Sequence, residues 1–187
     1  MTKTKFRKFS PDEIKSLIRS VDSHLTSQVE VILIGGSAAA LAYKVTRYTQ
    51  DIDIFGSIRG LKKAYEAAKK ETGLDIPFEQ AAVADAPYHY EDRLKEYRRI
   101  KLNKLKIFVP EIHDLILMKT VRAFAHDLET IAEMCQKNKV KVDVLIKRYI
   151  NEMGHVVMPK NRLKLNFLAA IEAGFGESKA LEISNQL

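Results

Sequence analysis

The stretch Ile34-Gly35-Gly36-Ser37, followed along the chain by Asp51-Ile52-Asp53, decides the fold. The glycine pair and the serine lie between an apolar run, Val29 to Ile34, and an alanine-rich segment, Ala38 to Ala42. This order predicts a strand, a tight turn and the start of a helix. Backbone N–H groups at a helix N-terminus form a site for phosphate, because glycine lets the chain come close.

The two aspartates alternate with apolar residues, since Ile52 separates them and Ile54 follows. On a strand, alternate side chains share a face, so we expect both carboxylates on one side and the isoleucines in the core. Carboxylates placed together repel each other unless a cation lies between them, and oxygen ligands beside phosphate favour Mg²⁺. Asp51 and Asp53 are therefore predicted metal ligands, in a pattern typical of nucleoside triphosphate chemistry; two exposed strand carboxylates are the alternative.

The segment from Gly35 to Phe55 resembles the signature of the polymerase-beta-type nucleotidyltransferase superfamily. Within it, the chain is similar to a bacterial branch that includes abortive-infection type IV toxins. The segments Glu111 to Lys119 and His126 to Ile131 resemble two helices of that branch. Arg162 to Glu172 resembles a helix in a neighbouring family of uncharacterised nucleotidyltransferase-like proteins.

This resemblance implies a nucleotidyltransferase that moves a nucleoside monophosphate from a triphosphate to a hydroxyl acceptor with the help of two Mg²⁺ ions. It implies that Gly35, Gly36 and Ser37 hold the phosphates; a serine that only caps a helix is the alternative. In the resembling enzymes a third carboxylate, on a neighbouring strand, accepts the proton of the attacking hydroxyl. Glu79 is the candidate for that catalytic role beside the two aspartates, and an exposed glutamate without a role is nearly as well supported.

Three further residues take nucleotide-binding roles from the resemblance. Arg47 and Lys119 are expected to contact the triphosphate, and Asp127 to orient the lysine or contact the nucleotide. A lysine that only reaches towards solvent and an aspartate that caps a helix are the alternatives. Thr130 stands where the family has a second aspartate, so the match is incomplete there.

The composition favours a soluble globular protein with polyanionic partners. The chain has 187 residues and a formal net charge of +7, which suits RNA or tRNA as acceptor, although a solvated basic surface explains it as well. No apolar run is long enough to cross a membrane, and no signal peptide is evident. The single cysteine, Cys135, excludes an intramolecular disulfide and fits the cytoplasm. A toxin of a toxin–antitoxin system would also bind a cognate antitoxin.

The periodicity predicts an α+β fold: a small mixed sheet with flanking helices over residues 1–110 and a helical bundle over 111–187, forming one compact unit with two lobes. Strands are expected at Val29–Ile34, Asp51–Phe55 and Pro77–Val83, with a hairpin of Tyr97–Lys101 and Leu105–Val109, and the C-terminal tail is expected to fray. The cleft between the lobes is the default ligand site.

Two questions stay open in the sequence. His89 lies between Tyr88 and Tyr90, and this trio either stacks on a base or packs over the edge of the cleft. The chain is either an active enzyme or a nucleotidyltransferase fold that binds nucleotide or RNA without catalysis, because the third carboxylate is uncertain.

Overall fold

The computed structural model describes residues 7–81 and 85–187 and has an α+β fold. The chain divides into two compact units. The sheet unit comprises the described residues of 1–42, 46–83 and 95–109, and the helical unit those of 43–45, 84–94 and 110–187. The predicted fold class, a mixed sheet with flanking helices followed by a helical C-terminal region, is confirmed.

The sheet unit contains one five-stranded mixed sheet with the strand order β3-β2-β1-β5-β4. The strand β1 pairs antiparallel with β2 and parallel with β5, while β2 pairs parallel with β3 and β4 antiparallel with β5. The strands are β1 (Val29–Leu33), β2 (Ile52–Phe55), β3 (Phe78–Ala81), β4 (Lys95–Glu96) and β5 (Leu105–Val109). The predicted third strand extends to Val83, and its last two residues lie outside the described part of the chain.

Three helices accompany this sheet in the described residues: α1 (Pro11–His24), α2 (Gly35–Ala42) and α3 (Lys62–Thr72), the last preceded by a 3₁₀ turn at Arg59–Leu61. The first helix begins with a capping box, in which Ser10 and Glu13 bond to each other's backbone N–H. Its apolar stripe is buried, and α1 packs against α3 and α2. Leu33 and Ile54 are also buried, so apolar residues of β1 and β2 contribute to the core.

The predicted hairpin strand at Tyr97–Lys101 is wrong, because the strand that pairs with β5 is Lys95–Glu96. The segment between the two strands is held by Asp22 on α1, whose buried carboxylate accepts hydrogen bonds from three successive backbone N–H groups at residues 103–105, at 2.7–3.1 Å. These bonds fix a wide turn between the two strands. Burial opposes the charge of Asp22, but the three N–H donors outweigh burial and lower its pKa.

The helical unit contains five α-helices in its described residues: α4 (Ile112–Arg122), α5 (Ala125–Lys137), α6 (Val142–Glu152), α7 (Lys160–Phe175) and α8 (Glu177–Ser184). The expected frayed tail is wrong, because α8 buries Ala180 and Ile183 and packs against α7. None of the described helices is long and apolar enough to span a bilayer.

An ion-pair network stabilises this unit around Asp114, which is fully buried on α4. Arg93 binds the Asp114 carboxylate with two N–H groups at 2.9 and 3.0 Å, and Arg148 on α6 donates to it at 2.8 Å. Arg148 also donates to Glu111 at 2.7 Å, and Arg93 to Glu152 at 2.6 Å. The network therefore ties the loop that carries Arg93 to α4 and α6.

Candidate active site

Three carboxylates of the sheet unit lie together. Asp53 is on β2 and Glu79 on β3, and the two residues are direct partners in the parallel pairing of these strands. Asp51 lies immediately before β2. One carboxylate oxygen from each residue lies within 4.8 Å of the others. We call Asp51, Asp53 and Glu79 the carboxylate cluster.

The carboxylate cluster has the donor chemistry of a Mg²⁺ site. Mg²⁺ takes oxygen ligands at about 2.1 Å in octahedral geometry, so opposite ligands lie about 4.2 Å apart. The oxygens of the cluster are within 4.8 Å, so small side-chain rotations would bring them to one ion. Glu79 is exposed and the two aspartates are half-buried, which leaves the cluster open to a ligand. A proton-accepting role for Glu79 stays a prediction.

Gly35 lies directly against one member of the cluster. Its backbone has a φ of +64°, and a Cβ built on it would stand 1.9 Å from Oδ2 of Asp53. The backbone N–H of Ile34 donates to the carbonyl of Asp53 at 3.0 Å, which holds the turn to β2. Only glycine fits here, because any side chain would displace the Asp53 carboxylate. The turn and the carboxylate cluster are therefore one local structure.

Thr49 is a residue whose role the sequence pattern did not reveal. Its Oγ1 donates to the Asp51 carbonyl at 3.2 Å and, more weakly, lies 3.4 Å from Oδ1 of the same residue. A Cβ on Gly36 would stand 2.9 Å from this Oγ1. Gly36 thus leaves the space that Thr49 needs to position Asp51. The sequence gives one indication of this role, namely that the hydroxyl residue Thr49 lies two residues before Asp51.

Ser37 lies in the first turn of α2 rather than at its cap. It is fully buried, and its hydroxyl donates to the Ile34 carbonyl at 3.1 Å. The local alternative, a serine at the helix cap, is therefore not what the structure shows. Arg47 lies in the segment that connects α2 to β2, and its side chain is half-buried. Phosphate contacts by Ser37 and Arg47 stay predictions.

Lys119 and Asp127 belong to the helical unit, where they form a buried ion pair. Lys119 Nζ lies 3.0 Å from Asp127 Oδ1, and the two side chains are 5% and 0% exposed. Arg122 donates to the same oxygen at 3.0 Å. Burial opposes the charge of Asp127, but Lys119 and Arg122 outweigh it and lower the pKa of this carboxyl. Asp127 thus pairs with the lysine, and an orienting role for Asp127 and a triphosphate contact by either residue stay predictions.

Comparison with known protein families gives one match. Residues 12–173 match the model of a family described as "Nucleotidyltransferase of unknown function (DUF6036)". The chain belongs to this nucleotidyltransferase family. The match covers both the carboxylate cluster and the Lys119–Asp127 pair, and it supports the superfamily that the sequence motif indicated. No curated protein and no solved structure matches the chain.

The DUF6036 family fits the geometry of the sheet unit. Its description names the reaction class, and the carboxylate cluster offers three oxygen atoms that could hold a metal ion. The likeness to abortive-infection toxins stays a prediction.

Proposed function

We propose that this DUF6036 protein transfers a nucleoside monophosphate from a triphosphate to a hydroxyl acceptor, using Mg²⁺ held by Asp51 and Asp53. The observation that carries the proposal is the convergence of three carboxylates from β2, β3 and the residue before β2, against a glycine turn that opens a helix. Bound Mg²⁺, as one or two ions, would neutralise the phosphate oxygens and the leaving pyrophosphate.

Residues of both units would bind the triphosphate. Gly35 and Gly36 are the first two residues of α2, so their backbone N–H groups would bind the β- and γ-phosphates, with Ser37 and Arg47 nearby in the chain. Lys119, oriented by Asp127, would add positive charge to the triphosphate. These contacts hold the α-phosphorus in place for attack.

Glu79 would accept the proton of the acceptor hydroxyl. The hydroxyl oxygen forms a bond to the α-phosphorus, the bond from that phosphorus to the bridging oxygen breaks, and pyrophosphate leaves. Support for Glu79 comes from its register position opposite Asp53 and from its exposure, which lets an acceptor reach it. A Glu79→Gln variant is expected to bind Mg²⁺ and nucleotide but to lose most of its transfer rate, by roughly 10²–10⁴-fold.

The test is a transfer assay with each nucleoside triphosphate labelled at the α-phosphate. Total RNA, tRNA and a protein extract serve as acceptors, with Mg²⁺ or with EDTA. Label is expected in one acceptor fraction with wild type and Mg²⁺, and not with EDTA or with Asp53→Asn. If the chain binds a triphosphate but no fraction takes up label, the alternative holds, namely a nucleotidyltransferase fold that binds nucleotide without catalysis.

An RNA or tRNA acceptor is supported by the net charge of +7, because a basic protein attracts polyanions. A role as the toxin of a toxin–antitoxin system is supported only by the motif likeness. Expression in a bacterial host would test it. Growth arrest that Asp53→Asn relieves supports a toxin with a cognate antitoxin, and unimpaired growth with the wild type contradicts it.

A further inference from the structure

The helical unit carries a cavity that neither the family match nor the proposed mechanism uses. It has a volume of about 330 Å³, within the range of small-ligand sites. Its wall is formed by the loop before β4 and by the segment after α6. The side chains that matter are those of Tyr88, His89, Tyr90, Glu91, Asp92 and His155. We call it the loop cavity.

Two hydrogen bonds hold the backbone of Tyr88 in the loop that lines the cavity. The N–H of Tyr88 donates to the Glu152 carbonyl at 3.1 Å, and Arg93 donates to the Tyr88 carbonyl at 2.9 Å. Arg93 is itself fixed by the buried Asp114. His89 adopts a left-handed φ of +62°, which is strained for a residue with a side chain. The backbone that carries Tyr88 is thus tied to α6 and, through Arg93, to Asp114.

The aromatic wall provides a stacking surface. The ring of His155 lies 4.2 Å from that of Tyr88 at an angle of 37°, so it covers one part of the tyrosine. Tyr88 nevertheless remains 52% exposed. A large aromatic side chain that is half exposed is suited to stack on a planar ring.

The polar wall accepts hydrogen bonds. Glu91 and Asp92 are exposed carboxylates; the Tyr90 hydroxyl lies 3.3 Å from Glu91, and His89 lies 3.5 Å from Asp92. A carboxylate beside a stacking surface selects a planar ring with adjacent N–H donors. Guanine offers two such donors on one edge, whereas the corresponding edges of adenine, cytosine and uracil each place acceptors beside their donors.

We propose that the loop cavity binds a guanine base, by stacking on Tyr88 and by hydrogen bonds to Glu91 or Asp92. This inference rests on the proposed function, because a nucleotide-handling protein is the context in which a base pocket has a use. It adds base specificity to that function.

The test measures the affinity of guanosine for the full chain by NMR titration, with adenosine, uridine and arginine amide as competitors. A nucleoside carries no phosphate, so the carboxylate cluster contributes nothing to this measurement. Guanosine is expected to bind about tenfold more tightly than adenosine. Tyr88→Ala should weaken guanosine binding about tenfold, and the Glu91→Gln/Asp92→Asn variant should remove the preference over adenosine.

The matched control is Tyr48→Ala, because Tyr48 is a similarly exposed tyrosine of the sheet unit. Equal affinity for all nucleosides, or unchanged binding by a folded Tyr88→Ala variant, would overturn the proposal. Tighter binding of arginine amide than of guanosine would also overturn it and would assign the cavity to a protein side chain. Transfer activity with Mg²⁺ is measured separately, so a failure here leaves the proposed reaction standing.

Discussion

At the scale of single residues, Gly35 and Asp53 are fitted to each other. A Cβ at position 35 would lie 1.9 Å from the Asp53 carboxylate, and the backbone there is left-handed. Gly73 offers a matched comparison, because its φ of +68° is nearly the same but nothing lies within 4 Å of an added Cβ. The two glycines share a left-handed backbone, and only Gly35 has a carboxylate beside it.

We therefore expect Gly35→Ala to disturb the metal site and Gly73→Ala to leave it intact. Both variants should lose about 1–2 kcal/mol of unfolding free energy from left-handed strain, and Gly35→Ala should lose more through the collision with Asp53. Urea unfolding measures the first effect and Mn²⁺ titration the second. Equal Mn²⁺ affinity in both variants would show that Gly35 does not shape the carboxylate cluster.

Glu111 links the stability of the helical unit to pH. Burial opposes its charge, but hydrogen bonds from His113 and Arg148 outweigh burial and lower its pKa from 4.5 to about 2. A carboxyl whose pKa falls on folding contributes stability above the unfolded pKa and loses it as the pH falls through the folded one. The contribution, roughly 3 kcal/mol, should disappear between about pH 4.5 and 2.

The comparison that tests this uses Glu111→Gln. Its deficit in unfolding free energy relative to wild type should be largest near neutral pH and should shrink steadily as the pH falls towards 2. Urea titrations at several pH values give the deficit, and Glu66→Gln, an exposed carboxyl of α3, is the control. A deficit that does not change with pH would mean that Glu111 acts through packing alone.

At the scale of elements, α5 and α7 are in close contact at Gly174. A Cβ at that position would lie 2.7 Å from Cys135 Sγ and 3.4 Å from its Cβ. Burial raises the pKa of the Cys135 thiol to about 11, which fits a packed and unreactive side chain. The small residue on α7 therefore sets how closely these two helices pack.

Gly174→Ala is expected to lower the free energy of unfolding by about 1–3 kcal/mol through overpacking, despite the better helix propensity of alanine. Removing the opposing sulfur in a Gly174→Ala/Cys135→Ala double variant should restore part of that loss. Gly154→Ala is the control, because an added Cβ there meets nothing within 4 Å. A fully additive double variant would contradict a direct contact.

The elements also show where sequence reasoning failed. The strand β4 ends before the predicted strand at Tyr97–Lys101 begins, and the turn that follows it is held by Asp22, a residue far away in the chain that local patterns do not report. The helix α8 was missed because a short amphipathic segment gains its stability from packing on α7, and propensity does not report packing.

At the scale of the whole molecule, the sequence predicts the fold class, the glycine turn at Gly35 and Gly36, and the aspartate pair of Asp51 and Asp53. These features are predictable because glycine turns and strands with alternating polarity are local patterns. Glu79 could be named only as a candidate, since its register opposite Asp53 depends on how β2 and β3 pair. The bonds of Arg93 to Asp114 and Glu152 could not be predicted, because they join distant segments. Local sequence patterns thus indicate the reaction class, whereas the position of Glu79 beside Asp53 depends on how distant strands pair.

The central claim is that Asp51 and Asp53 of the carboxylate cluster hold a divalent metal and that the metal holds a triphosphate. The measurement is a calorimetric titration of non-hydrolysable triphosphates, with and without Mg²⁺, into wild type and into the Asp51→Asn/Asp53→Asn variant. Asp12→Asn, which replaces an exposed aspartate on α1, is the control. We predict binding that requires Mg²⁺ in wild type and the control and is lost in the double variant. Equal binding with and without Mg²⁺, or undiminished binding by the folded double variant, would contradict the account.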